Sequence, residues 1–297
     1  MEQMKNLIAL PFAFLLPGIA LAESPKPGEA PRYSVTTGKI LTAPATPADG
    51  AVMTVHLPPH GNGAAVLIYP GGAYSTLVKD PEGHQIATWF NEHGVTGVVV
   101  EYRLPNGNSS IPLADAQRAT RIVRMHANEW KCDPHKIGNI GFSAGGHLAS
   151  TAATHFDEGD AKATDPIARM SCRPDFSILI YPVITMGEQT HGGSKSSLLG
   201  PSPDAAAIEL FSNEKQVTAK TPPTFLAHAQ DDQLVPAANS QMYFEALQKY
   251  HVPSEYLKLP SGGHGLNSYQ GPMWEAWKTA CLKFLASQKF IRAADAN

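Results

Sequence analysis

Short apolar runs recur along this chain, separated by longer stretches in which apolar and polar residues follow a helical spacing. The runs at 64–69, 96–102, 137–142, 176–182, 224–229 and 255–259 are bounded by glycine, proline or polar residues and read as strands. Between and after them, 81–93, 112–130, 144–155, 237–250 and 272–287 read as helices. Regular alternation of strand and helix predicts an α/β class protein with a mostly parallel sheet covered by helices on both faces. A further pair of strands, around 37–58, is expected to extend one edge as an antiparallel hairpin. From Thr185 to Thr221 the alternation breaks. That segment follows the carboxyl end of a strand, so it is expected to lie above the functional face, where His191 and Ser194 become candidates for substrate contact beside the alternative of a solvated loop.

The chemistry concentrates where a strand meets a helix. Ile140-Gly141-Phe142-Ser143-Ala144-Gly145-Gly146-His147 carries Gly-x-Ser-x-Gly between an apolar run and a segment of small residues. In a strand-turn-helix setting this pattern is a nucleophile elbow: small neighbours allow a tight turn that lifts the serine hydroxyl above the sheet. The N–H of Ala144 then lies at the positive end of a helix, suited to an oxyanion. Alone, the pentapeptide is equally a glycine-rich turn, so its partners decide.

A serine hydroxyl needs a histidine base, and the histidine needs a carboxylate that fixes its tautomer. Downstream of Ser143, the strand at 224–229 opens into Asp231-Asp232-Gln233-Leu234-Val235-Pro236, and the strand at 255–259 opens into Ser261-Gly262-Gly263-His264-Gly265. The order serine, aspartate, histidine, each after a strand, is that of α/β-hydrolases. His264 is the candidate base and Asp232 the candidate carboxylate, with Asp231 as the alternative in that role or as a turn former. The strand at 64–69 runs into Pro70-Gly71-Gly72-Ala73-Tyr74, whose Gly72 or Ala73 N–H would complete an oxyanion hole opposite Ala144, with Tyr74 as a candidate pocket residue. Glu82 reads as the start of the following helix, with a substrate role as the alternative.

These stretches, together with Glu101-Tyr102-Arg103-Leu104, Arg173-Pro174-Asp175-Phe176, Ser197-Leu198-Leu199-Gly200 and Thr221-Pro222-Pro223-Thr224, resemble the α/β-hydrolase group of acetylxylan esterases and bifunctional feruloyl and acetylxylan esterases over about 50–290. The resemblance implies carboxylic-ester hydrolysis with acetylated plant polysaccharide as the leading substrate class. Many hydrolases of this type carry a third glycine where Ala73 stands. A serine exopeptidase and a catalytically silent binding protein are the competing readings; the first lacks room here for an additional domain, and the second is expected to have lost a triad residue.

Composition narrows the rest. Charged residues make up 16% of 297, and the net charge of −3 gives no reason to expect a nucleic-acid partner. A triad hydrolase requires no metal or organic cofactor; His56 and His60 are four apart but lie in a proline-rich turn, which argues against a metal pair. The partner expected is a small ester or acylated carbohydrate. Lys5, the apolar stretch 7–21 and Ala20-Leu21-Ala22 read as an export leader over 1–22 and not as a stable membrane span. Residues 23–48 read as an extended lead-in and 49–297 as a single catalytic domain, exported to a periplasmic or extracellular compartment. Such a compartment permits disulfides, and Cys132 and Cys172, each just before a strand expected to neighbour the other, are the candidate pair; Cys281 reads as a buried apolar residue.

Overall fold

The computed structural model describes residues 30–41 and 50–296, so the expected leader lies outside the described residues. Eight strands form one sheet in the order β1-β2-β4-β3-β5-β6-β7-β8. β1 (Arg32–Ser34) and β2 (Val52–His56) pair antiparallel, and β2 pairs antiparallel with β4 (Thr96–Glu101). From β4 onwards every pairing is parallel, through β3 (Ala65–Tyr69), β5 (Ile137–Phe142), β6 (Ser177–Ile180), β7 (Thr224–Ala229) and β8 (Ser254–Leu259). The expected edge hairpin exists, but its outer strand is displaced. Part of the supposed lead-in, Arg32–Ser34, is that strand, with Tyr33 also bridging to Ile40.

The alternation of side chains along each buried strand feeds two cores. On β3, Ala65, Leu67 and Tyr69 join one cluster while Val66 and Ile68 join the other. The first core is closed by α2 (Ser110–Met125), α3 (Ala144–Thr154) and α6 (Ala238–Lys249), the second by α1 (Gln85–Glu92) and α8 (Gly271–Ser287). A single π-helical turn, Asp80–His84, leads into α1. The segment that breaks the alternation folds into α4 (Gly192–Leu199) and α5 (Ala205–Leu210), and Leu266–Tyr269 makes a short turn, α7. Asp175 explains the Arg-Pro-Asp-Phe stretch: its carboxylate accepts the Ile137 N–H at 2.9 Å and pairs with Arg124 at 3.0 Å, which fixes the start of β5.

The expected Cys132–Cys172 bond is not formed; all three cysteines are free thiols. The two loops enter neighbouring strands, but the side chains diverge. Cys132 donates to Thr96 Oγ1 (3.4 Å) at the start of β4, two strands from β5, whereas Cys172 Sγ accepts the Asp157 N–H (3.2 Å) beyond α3.

Candidate active site

At the end of β5 the chain turns through Ser143 with φ 53° and ψ −120°, a conformation that side chains rarely adopt, and enters α3 directly. Two glycines make the turn possible. A Cβ on Gly141 would stand 2.1 Å from the Gly145 carbonyl oxygen, and one on Gly145 would stand 2.1 Å from that of Tyr69. β3, β5 and α3 therefore approach more closely than any side chain would allow, and the turn is held further by Ser143 N–H to Ile180 O (3.1 Å) and Val183 N–H to Ser143 O (3.0 Å).

The loops after β7 and β8 bring their side chains to this serine. His264 Nε2 lies 2.9 Å from Ser143 Oγ, and His264 Nδ1 lies 2.8 Å from Asp232 Oδ2. The other oxygen of Asp232 accepts the N–H groups of Leu234 (2.9 Å) and Val235 (3.0 Å). Burial alone would raise this carboxyl, but hydrogen bonds from His228, His264 and Val235 outweigh it and hold Asp232 well below the usual carboxylate range. An ionised Asp232 accepts a hydrogen bond from Nδ1–H, which keeps the proton on Nδ1 and leaves Nε2 to accept from the serine hydroxyl. Asp231 faces elsewhere: it accepts the N–H groups of Gly263 (2.9 Å) and Gly262 (3.2 Å) and so shapes the loop that presents His264.

The β3 loop lies against the elbow. Gly72, Ala73 and Tyr74 all take positive φ, at 124°, 55° and 58°. Among the described residues no acceptor takes the N–H of Gly72, Ala73 or Ala144, whereas Gly71 N–H is held at 2.7 Å by Glu82 Oε2. Glu82 is buried beneath the loop and also accepts from Tyr181 Oη at 3.0 Å. Burial raises its carboxyl, against the pull of the Gly71, Tyr181 and Tyr269 hydrogen bonds. Tyr102, from the Glu-Tyr-Arg-Leu stretch, donates to the Pro70 carbonyl at 2.7 Å and braces the same loop.

Tyr74 does not line an open pocket. Its backbone turn sends the ring inward, where it is 1% exposed and donates its hydroxyl to His147 Nδ1 at 2.9 Å. His191 caps α4: its Nδ1 accepts the Ser194 N–H at 3.2 Å, and burial lowers the pKa of its ring, with the neighbouring Asp232 carboxylate acting against it. The cap therefore lies near His264 and Asp232, while Ser194 is fully buried beneath it.

The family profile described as BD-FAE matches residues 53–247, a span that includes the elbow and the Asp232 loop. The chain belongs to the BD-FAE family. It is 38% identical over 220 residues to an acetylxylan esterase of Xylanibacter ruminicola, an alignment covering 72% of this chain and 43% of that protein. It is 37% identical over 217 residues to endo-1,4-beta-xylanase B of Butyrivibrio fibrisolvens, covering 71% of this chain and 34% of that protein. The chain thus spans less than half the length of these curated relatives. Among solved structures, an acetyl ester-xyloside bifunctional hydrolase from Caldicellulosiruptor lactoaceticus superposes with a TM-score of 0.81 at 36% identity, over 89% of this chain and 98% of that one. The sheet order and the layered helices are those of the α/β-hydrolase esterases.

Several residues around the site of this BD-FAE chain had no reading as site residues in the sequence. His228 sits inside an apolar strand and is fully buried against Asp232, at 3.2 Å. His147, four residues after the serine on a helix of small residues, is fully buried between Tyr74 and the Phe211 carbonyl, 2.8 Å away. Tyr181 packs its ring 4.9 Å from that of His264. A polar group inside an otherwise apolar run was the available signal for His228.

Proposed function

We propose that this chain is a serine carboxylic-ester hydrolase that removes acetyl or other short acyl groups from carbohydrate, with xylan as the leading substrate. The observation that carries this reading is the continuous contact from Ser143 Oγ through His264 to Asp232, at 2.9 and 2.8 Å, beside backbone N–H groups without acceptors. The acetylxylan esterase, the xylanase and the acetyl ester-xyloside hydrolase that the chain resembles support the acyl group and the polymer.

In this mechanism His264 Nε2 removes the hydroxyl proton as Ser143 Oγ attacks the ester carbonyl, and Asp232 stabilises the imidazolium. The N–H of Ala144 and that of Gly72 or Ala73 receive the developing oxyanion, each donor contributing about 3 kcal/mol. The imidazolium then protonates the departing alcohol, and water cleaves the acyl-serine by the same route. In this reading residues 1–22 direct export and are removed, leaving 49–297, with β1 added, as one catalytic domain; intact mass of the exported protein tests whether it begins at Glu23.

The deciding measurement is hydrolysis of p-nitrophenyl acetate, butyrate and octanoate together with acetate release from acetylated xylan. The wild type is expected to favour acetate and to deacetylate xylan, with Ser143→Ala lowering kcat by about 10⁵ to 10⁶. Equal inertness of the two proteins on every ester would overturn the reading in favour of a binding protein.

A further inference from the structure

Asp232 serves two histidines. Its Oδ2 lies 2.8 Å from His264 Nδ1 and 3.2 Å from His228 Nε2, so the carboxylate, with Leu234 and Val235 on Oδ1, has a donor on each of its four acceptor positions. His228 has no freedom in this arrangement. Its Nε2 faces two acceptors, Asp232 and the Val235 carbonyl at 3.0 Å, and must carry a proton; in the neutral ring its Nδ1 then accepts from Ser240 Oγ at 2.8 Å. The ring is fully buried, and α6 supplies Ser240 from behind it.

We propose that His228 is a positioning residue for the triad, which divides the Asp232 Oδ2 charge with His264 and thereby sets the pH at which His264 becomes the working base. The proposal rests on the esterase reading for its kinetic consequence, though not for its electrostatics. With the His228 donor removed, more of the carboxylate charge falls on His264, its imidazolium is stabilised, and the base is lost to protonation at a higher pH. Asp232 also loses one of the contacts that fix its angle. The other groups facing this centre remain in place: Tyr181 from the loop after β6, Glu82 from the turn before α1, His191 from the cap of α4, and Tyr256 of β8 beside Ser240.

The test compares His228→Leu, His228→Gln and His228→Asn. A glutamine amide reaches the place of Nε2, an asparagine amide only that of Nδ1, and leucine offers no donor. Leu and Asn are expected to raise the acid-limb pKa of kcat/KM on p-nitrophenyl acetate by about 0.5 to 1 unit and to lower the plateau about tenfold, with Gln restoring most of both. An NMR titration of the His264 Cε1 proton should move by the same amount and requires no turnover. If the wild type hydrolyses no ester, the esterase reading falls while the NMR titration still decides the role of His228. Identical acid limbs and His264 titrations in wild type, Gln and Asn would reduce His228 to a core residue, and this comparison stands even if the leucine variant fails to fold.

Discussion

Two adjacent aspartates on one loop have different tasks, and the difference lies in where each carboxylate points. Asp232 Oδ2 takes the proton side of His264, whereas both oxygens of Asp231 are spent on the Gly262 and Gly263 N–H groups. Asp232→Asn would place either an amide N–H or a neutral carbonyl against Nδ1, weakening the preference for the productive tautomer. A loss of kcat by about 10⁴ is expected at neutral pH. Asp231→Asn keeps one acceptor for the loop and is expected to cost less than tenfold. Steady-state kinetics on p-nitrophenyl acetate separate the two, and a larger loss for Asp231→Asn would reassign the carboxylate. At this scale the sequence carried much of the candidate site, because serine, aspartate and histidine each announce themselves at the end of an apolar run. It left Asp231 and Asp232 open because neighbouring loop residues share a pattern but not a direction. His228 and Glu82 stayed hidden for a related reason: a polar side chain within a buried run or turn shows its purpose only through the atoms it faces.

The site is assembled from elements that a few buried polar groups tie together. His147 on α3 accepts from Tyr74 of the β3 loop and, through Nε2–H, donates to the Phe211 carbonyl after α5, so a single ring connects the helix after Ser143, the β3 loop and the 185–221 segment. Burial pushes its pKa down to about 4, against the smaller upward pull of the Phe211 carbonyl. The folded protein thus refuses a proton that the unfolded chain accepts from about pH 6.5 downward. Above that pH the ring contributes no pH dependence; between pH 6.5 and 4 stability falls with pH, by about 3 kcal/mol in total for this group. The stability advantage of the wild type over His147→Asn, measured by urea unfolding, should therefore shrink by about that amount between pH 7 and pH 4. A constant difference would mean that the ring already binds its proton in the fold. Strands and long helices were legible to within a few residues from hydrophobic period alone. The outer edge strand was missed because Arg32–Ser34 is only three residues long and gains its conformation from pairing with β2. The turn α7 was equally unreadable: Leu266, Asn267, Ser268 and Tyr269 hold positive φ of 47–66°, and no local preference announces four such residues in succession. Tertiary contact, with the Tyr269 hydroxyl brought to Glu82, accompanies that turn.

Across the whole molecule, the sheet order decides a question that chain proximity left open. Cys132 and Cys172 each precede a strand, and β5 and β6 are neighbours, so the sequence places the two loops at one end of the sheet. The sheet has a lateral extent, however, and the thiols part along it: one packs towards β4, the other towards the loop beyond α3. Cys281 is buried on α8 in the second core. Burial raises all three thiols above their ordinary range, with the Thr96 contact opposing it at Cys132 and the Asp157 N–H opposing it at Cys172. Such groups hold little thiolate at neutral pH and are poor nucleophiles even in an oxidising compartment. The folded protein is therefore expected to react slowly with a thiol reagent such as dithionitrobenzoate, and to release three equivalents once unfolded in guanidinium without reductant. Recovery of a single thiol under those conditions would mean that Cys132 and Cys172 are bonded after all, and that the loops before β5 and β6 lie closer together than the sheet now holds them. Three thiols would instead make the stability of this fold a matter of its two cores and its hydrogen-bonded sheet, with no covalent staple between them.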